Sequence, residues 1–460
     1  MPAALAHPPG PKPRPLLGLF REFRRQPADF LERAAREYGD LVFIPLGPQN
    51  IYLASHPDFI QEILVTRQSQ FKKSRMLERA RTLLGEGLLT SEGETHLRQR
   101  RLIQPAFHRD RLASYASAMV ERADCCREEG GTRWNSGPFD LSAEMSRLTL
   151  AIVARTLFSA NVDSEADDVG AALNEVFKMF ELVLLPYSDW IEKLPLPSVR
   201  RFHRARALLD SIIYRLIADR RAEGNPDQGD LLSMLLAAQD EDGGVMTDRQ
   251  IRDEALTLFV AGHETTAVAT TWAWYLLSQN PEAEASLHAE LDQVLAGRLP
   301  TFDDLPRLRY TAAVFAETLR LYPPAWGVGR RSLSEVELGG FTIPAGSILA
   351  MSPWVTHRDA RWFPEPLKFS PERWLADDPA RPKFAYFPFG GGARVCIGER
   401  FALAEGALLL ATLGQRWRFR LQPGHNVETR PLITLRARYG MKMTAETRAT
   451  QPSASSRYQS

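Results

Sequence analysis

Apolar residues recur with a helical period along much of the chain, and shorter apolar runs with the character of strands interrupt this pattern. The helical period covers residues 29–38, 111–129, 142–158, 171–184, 199–223 and 230–238. Leu41–Ile44 and Asn50–Ala54 predict two strands, because proline and glycine separate these short apolar runs. Further strand and loop signals follow between Val336 and Arg373. The pattern therefore predicts a mainly α (α+β) fold, in which a helix-rich domain carries a small β-rich region.

The most informative predicted helix runs from Asp248 to about Gln279. Thr247 and Gln250 have the spacing of a capping box, and Asn280-Pro281 supplies a stop signal. At a rise of about 1.5 Å per residue, such a helix is about 48 Å long and crosses a whole domain. Further helices are predicted over 281–296, 311–322 and 399–414.

The two ends of the chain differ in composition from the centre. Residues 1–15 are rich in proline and predict an extended lead-in outside the core, whereas residues 444–460 are polar and predict a disordered tail. Residues 16–443 are expected to form a single domain. No run of about 20 apolar residues is present, so we expect no transmembrane anchor. The first ten residues lack a secretory signal pattern, which makes the cytoplasm the expected location.

Composition excludes several classes of protein. Lysine and arginine total 57 and aspartate and glutamate 56, a formal net charge of +1, so the basic excess typical of a nucleic-acid binder is missing. Hydrophobic residues make up 44% and charged residues 25%, as in ordinary globular chains. Three cysteines are too few for a disulfide scaffold and suit a reducing compartment.

One cysteine lies in a setting that suggests chemistry. Cys396 lies near the end of a glycine-rich segment, residues 389–398, which leads directly into the predicted helix 399–414. A helix start offers unpaired N–H groups and the positive end of the dipole, both of which favour a thiolate. The glycines would let the backbone approach a flat partner, and Arg394 could pair with an anion on it. A buried inert cysteine is the alternative, while a phosphate loop lacks its Gly-Lys-Ser/Thr ending.

The order Phe389-x-x-Gly392-x-Arg394-x-Cys396-x-Gly398 resembles the haem-ligand signature of the cytochrome P-450 haem-thiolate monooxygenases. The resemblance extends over nearly the whole chain. It implies a single cytochrome P-450-type fold, heme b (iron protoporphyrin IX) as the cofactor, and Cys396 as the axial thiolate ligand of the metal. Phe389, Arg394 and Gly398 are implied to contact the cofactor.

The long predicted helix carries Ala261-Gly262-His263-Glu264-Thr265 near its middle. Glycine and threonine inside a helix predict a local distortion, because a threonine hydroxyl can bond to the carbonyl four residues earlier. In the family this segment crosses the haem. The resemblance implies that Ala261 and Gly262 contact the cofactor, that Thr265 hydrogen-bonds dioxygen, and that Glu264 delivers protons.

Cationic residues at two further places are implied to bind the haem propionates. His96 and Arg100 lie four residues apart and share one helix face. Arg330 is the downstream candidate, although the adjacent Arg331 fits the family pattern equally well. Together with Arg394, these cations would neutralise two propionates.

A third motif is implied to be structural. Glu317 and Arg320 are three residues apart within an apolar helix, and a buried pair of this kind needs further partners. In the family an arginine from a downstream loop completes the pair, and Arg373 is the matching residue here.

The walls of a substrate pocket are less distinct in the sequence. The family draws them from segments whose apolar residues could equally well serve core packing. The candidates are Leu83, Leu84, Phe180, Leu184, Val260, Ala325 and Val328. An apolar lining suits a fatty acid, a terpenoid or a steroid.

The resemblance implies a monooxygenase that activates O2 with two electrons from NAD(P)H and hydroxylates or epoxidises a hydrophobic small molecule. Electrons would arrive through a ferredoxin and an NAD(P)H-dependent ferredoxin reductase, and we expect a monomer. Two alternatives stay open: a haem-thiolate peroxygenase or isomerase that does not use O2, and a non-catalytic protein that binds haem or a hydrophobic ligand.

Overall fold

The computed structural model describes residues 7–13, 18–46, 50–159, 166–183, 194, 196–224, 227–239 and 243–448. The helices are α1 (Gly18–Arg25), α2 (Pro27–Tyr38), α3 (Pro57–Gln61), α4 (Arg75–Arg79), α5 (Arg81–Leu84), α6 (Gly93–Ile103), α7 (Arg109–Arg133), α8 (Leu141–Phe158), α9 (Ala166–Val183), α10 (Pro197–Ala222), α11 (Leu231–Ala237), α12 (Asp248–Gln279), α13 (Pro281–Leu295), α14 (Arg309–Leu321), α15 (Pro353–Thr356) and α16 (Glu399–Gly414). The mainly α prediction is confirmed.

The strands are short and most of them form small antiparallel units. They are β1 (Leu41–Pro45), β2 (Asn50–Ala54), β3 (Phe71–Lys73), β4 (Phe139–Asp140), β5 (Val328–Ser332), β6 (Val336–Leu338), β7 (Phe341–Ile343), β8 (Ile348–Met351), β9 (Trp417–Leu421), β10 (Thr429–Pro431), β11 (Leu435–Ala437) and β12 (Lys442–Thr447). The largest sheet has the order β1-β2-β8-β5-β3, with β2 and β8 parallel. A separate hairpin pairs β10 with β11.

The long helix α12 lies at the centre of the fold and has the predicted bounds. Its capping box is present, because Thr247 N–H donates to Gln250 Oε1 at 2.9 Å and Gln250 N–H to Thr247 Oγ1 at 3.3 Å. The helix packs against α8, α10, α14 and α16. Buried residues lie on all its sides, including Trp272 and Trp274, as expected of a helix inside a large core.

Both chain ends depart from the sequence predictions. Pro8 is buried and Phe43 N–H donates to the Pro9 carbonyl at 3.0 Å, so the lead-in packs onto β1 rather than standing outside the core. The predicted tail began at Thr444, but β12 continues to Thr447 and pairs with β9. This boundary was wrong because residues 444–447 pair with β9 alone, beyond the end of β4, and their polar side chains resemble those of a loop. Residues 449–460 lie outside the described part.

Among the described residues, no helix is both long and apolar enough to span a bilayer.

Candidate active site

The loop before α16 approaches the rest of the protein closely and holds Cys396. Cys396 N–H donates to the Phe389 carbonyl at 3.0 Å, and the Val395 carbonyl accepts from Arg100 Nη1 at 2.8 Å. Gly392 has a φ of +68°, and a Cβ there would clash with the Leu64 carbonyl. The glycine therefore meets both a backbone and a steric requirement of this loop.

Cys396 combines an accessible side chain with enclosed surroundings. Its side chain is exposed, yet burial within the protein raises the pKa of its thiol, against the effects of the Gly398 N–H and the Arg100 charge. An accessible side chain in desolvating surroundings is what the ligand of a flat prosthetic group requires. By contrast, Cys126 on α7 is buried, and its thiol pKa is raised to about 12. Cys396 therefore fits an iron-bound thiolate, because a metal would stabilise the charge that burial disfavours.

The middle of α12 also presents accessible surface. Ala261 is exposed and Gly262 and Thr265 are half-buried, within a helix most of whose other residues are buried. Thr265 Oγ1 donates to the Ala261 carbonyl at 2.7 Å, which is the hydroxyl bond that the sequence predicted. The predicted distortion does not interrupt the helix, because α12 is continuous from Asp248 to Gln279.

His263 is turned away from this accessible face. Its Nε2 lies 3.0 Å from both Ser146 Oγ and the Ser146 carbonyl, and Thr149 Oγ1 donates to the His263 carbonyl at 3.1 Å. These bonds fasten the middle of α12 to α8.

Within the described ranges, no three His, Cys, Asp or Glu side chains form a metal-binding group.

Glu264 is buried and forms an ion pair with the β10–β11 hairpin. Thr434 Oγ1 donates to Glu264 Oε1 at 2.7 Å, Arg436 Nη2 donates to Oε2 at 2.6 Å, and Arg436 Nε donates to Oε1. The carboxylate is therefore held by a bidentate guanidinium and a hydroxyl. Sequence reasoning missed Thr434 and Arg436. No local signal could have found them, since they follow Glu264 by 170 and 172 residues.

Arg436 also contacts the helix on the other side of this site. Its Nη1 donates to Asn174 Oδ1 at 3.3 Å, and its guanidinium lies 4.8 Å from the centre of the Phe177 ring. Both partners belong to α9. One arginine therefore links the central helix, α9 and the C-terminal hairpin.

The residues predicted to bind propionates do come together. His96 is buried, and its pKa is lowered to about 3, first by burial and then by four nearby cations. In decreasing order of effect these cations are Arg394, Lys73, Arg100 and Arg330. Lys73 was missed by sequence reasoning. It pairs with Arg330 across β3 and β5, and its own pKa is lowered to about 7, mainly by burial.

Glu92 is the carboxylate that the described residues supply to this cluster. It forms an ion pair with Arg394, and its Oε1 accepts a hydrogen bond from the backbone N–H of Lys73 at 2.7 Å. The cluster therefore has excess positive charge and fits a dianion such as the two propionates of haem. Arg330 is buried within it, whereas Arg331 pairs with Glu78. Neighbouring strand residues point to opposite faces, which explains why only Arg330 faces the cluster.

Glu317, Arg320 and Arg373 meet as the sequence predicted. Glu317 and Arg320 are fully buried, and Arg320 donates from Nε and Nη2 to the two carboxylate oxygens at 2.8 and 2.7 Å. Arg373 Nε, the Ser370 N–H and Trp374 Nε1 supply three more donors at 3.0, 3.0 and 2.8 Å. This network fastens α14 to the loop that contains residues 370–374.

The predicted pocket residues divide into groups. Val328 lines a cavity of about 380 Å³, Ala325 is exposed and Val260 is half-buried. Leu83 and Leu84 are buried in the core and do not line that cavity. The side chain of Phe180 and all of Leu184 lie outside the described residues.

These features agree with what sequence comparison shows. The family model for cytochrome P450 matches residues 8–440, and the chain belongs to this family. It is therefore a monooxygenase and an oxidoreductase, and the family implies a haem held by a cysteine thiolate. The predictions of family, fold class, cofactor and enzyme class are confirmed.

Its relatives include bacterial oxygenases that align over most of their length. The chain is 44% identical over 430 residues to cyclooctatin synthase of Streptomyces melanosporofaciens, with 92% of each chain covered. It is 37% identical over 439 residues to pentalenene oxygenase of Streptomyces avermitilis, with 94% of this chain and 96% of the relative covered. The solved structure of retinoic acid-bound cyanobacterial CYP120A1 superposes with a TM-score of 0.84 at 27% identity, covering 96% and 100% of the two chains.

Proposed function

We propose that this monooxygenase hydroxylates or epoxidises a hydrophobic terpenoid, using O2 and two electrons from NAD(P)H. Relatives named cyclooctat-9-en-7-ol 5-monooxygenase and pentalenene oxygenase support this choice among the hydrophobic classes. A ferredoxin and its NAD(P)H-dependent reductase are the proposed electron donors. A cytoplasmic monomer is also part of the proposal, and the small number of cysteines suits that compartment.

The observation that carries the proposal is that Cys396 has an accessible side chain in surroundings that desolvate its thiol. Cys396 is the proposed thiolate ligand, with Phe389 and Gly398 on the same loop in contact with the cofactor. Ala261 and Gly262 are the proposed contacts on the opposite face. The cationic cluster of His96, Arg100, Arg330 and Arg394 would hold the propionates. When bound, the haem would supply the iron chemistry by which O2, two electrons from NAD(P)H and two protons give one oxygen atom to the substrate and one to water.

The protein supplies protons and orientation. Oxygen cleavage consumes protons, and the Thr265 hydroxyl lies on the accessible face of α12, where it can pass a proton onward. Glu264 is the proposed acid behind it. Arg436 and Thr434 bind its carboxylate, so we expect these two residues to control the position of the acid.

A carbon-monoxide difference spectrum of the reduced protein tests the ligand, and turnover tests the reaction. We expect the spectrum of a thiolate-bound haem in the wild type and in Cys125→Ala, and its loss in Cys396→Ala. Product formation with ferredoxin, reductase and NAD(P)H should then exceed that with hydrogen peroxide alone. An unchanged thiolate spectrum in Cys396→Ala, or turnover with peroxide only, would contradict the proposal.

A further inference from the structure

A cavity of about 380 Å³ lies between α1, the five-stranded sheet and the β10–β11 hairpin. This volume is within the range usual for small-molecule sites. Its interior is apolar and includes the buried side chains of Leu31, Leu46 and Met351 and the half-buried Phe23 and Ile433. These surfaces would gain about 25 cal/mol for each Å² of apolar ligand area that they remove from water.

The remainder of the lining has one sign of charge. Six of the described lining residues are arginines and none is an aspartate or a glutamate. They are Arg24, Arg25, Arg75, Arg79, Arg430 and Arg438. Arg438 lies 3.5 Å from Glu428, and Arg79 and Arg430 have interactions of their own. Arg24, Arg25 and Arg75 are exposed, and no carboxylate of the described residues forms an ion pair with them. These three leave the cavity mouth with uncompensated positive charge.

The cavity adjoins the candidate active site at two places. Val328, Gly329 and Ser74 line the cavity, while Arg330 and Lys73, the next residues on β5 and β3, belong to the cationic cluster. On the hairpin, Ile433 lines the cavity and packs against the core cluster that includes Phe259 of α12. The cavity and the active site therefore share β3, β5 and the hairpin as walls, as an entrance and the site that it serves would.

We propose that this cavity is the substrate entrance and that it selects amphiphilic anions, molecules with an apolar body and one carboxylate or phosphate group. The apolar interior would take the body, and the guanidinium groups of Arg24, Arg25 and Arg75 would bind the anionic group. The inference rests on the proposed function, and it narrows the hydrophobic substrate class to charged members.

The test uses the holoenzyme and three ligands with the same 15-carbon body: farnesoic acid, farnesyl monophosphate and farnesol. Binding is read from the spin state of the iron, and equilibrium dialysis covers binding that leaves the spin state unchanged. We expect the acid, the phosphate or both to bind at least tenfold more tightly than farnesol at low ionic strength. The preferred anion identifies the head group, and the preference should decrease as salt is added.

The variants are Arg24→Gln, Arg25→Gln and Arg75→Gln, singly and together, with Arg36→Gln on α2 as the control for losing one surface charge. The triple variant should bind all three ligands with nearly equal affinity, while Arg36→Gln keeps the preference. Equal binding of anions and farnesol by the wild type, no binding of either anion, or a preference that survives the triple variant would overturn the proposal. The carbon-monoxide spectrum of each protein separates this outcome from a failure of the proposed function.

Discussion

Replacing Arg436 with glutamine tests whether the hairpin controls the proposed proton donor. The variant removes both guanidinium bonds to Glu264 and the contacts with Asn174 and Phe177, and leaves the Thr434 bond in place. Glu264 would then be a buried carboxylate without a counter-ion. Loss of the guanidinium leaves the burial of this carboxylate uncompensated and releases its side chain from a fixed position.

The structure sets the size of the effect on stability. Breaking a fully buried ion pair costs about 3–5 kcal/mol. The Glu264 side chain is 6% exposed but that of Arg436 is 29% exposed, so water can replace part of the lost interaction. A loss of about 2–3 kcal/mol is therefore expected. Arg420 offers a matched control, because it binds Glu284 through two bonds of 2.7 and 2.8 Å with side-chain exposures of 32% and 6%.

The assay compares stability with the coupling of NAD(P)H consumption to product. Arg436→Gln and Arg420→Gln should lose similar free energy of unfolding. Only Arg436→Gln should lower the rate of product formation, by about tenfold, which corresponds to about 1.4 kcal/mol. The same variant should also change the pH profile of this rate. Arg436→Lys should restore part of the rate. If Arg420→Gln uncouples turnover to the same degree, or if Arg436→Gln leaves coupling and the pH profile unchanged, the positioning role of Arg436 is refuted.

Three other predictions use different parts of the structure. Glu317→Gln should lower the free energy of unfolding by about 3–5 kcal/mol and reduce the amount of haem retained, because buried Arg320 loses its counter-ion. Thermal unfolding and haem content measure these effects, and a loss of stability below about 1 kcal/mol would contradict the prediction. Burial raises the pKa of Glu405 to about 8, so the folded protein holds a proton that the unfolded chain releases, and stability should fall as pH rises between about 5 and 8. Unfolding of Glu405→Gln across this window should show a slope flatter by about 1 kcal/mol per pH unit, and equal slopes would exclude the titration. Thr265→Ala should lower product formed per NAD(P)H while Thr270→Ala, whose buried hydroxyl bonds the Thr266 carbonyl, should not; full coupling in Thr265→Ala would remove the relay role.

Local patterns in the sequence were sufficient to predict the central helix and several residues of the candidate site. The capping box at Thr247 and the stop at Asn280-Pro281 defined α12, because such signals act within one helical turn. The spacing around Cys396 and the Glu317–Arg320 pair were equally visible, since their members are at most a few residues apart. The end of the fold was misjudged at Thr444, because only pairing with β9 makes that polar segment a strand.

Tertiary structure alone decided which distant side chains meet. Lys73 joins the cationic cluster because β3 pairs with β5, and the pleat of β5 turns Arg330 rather than Arg331 toward it. Arg436 reaches Glu264 because the β10–β11 hairpin packs on α12, and the arginines at the cavity mouth come from segments as distant as α1 and α4. These groupings depend on how helices and strands pack in three dimensions, and the period of a single element carries no information about a partner hundreds of residues away.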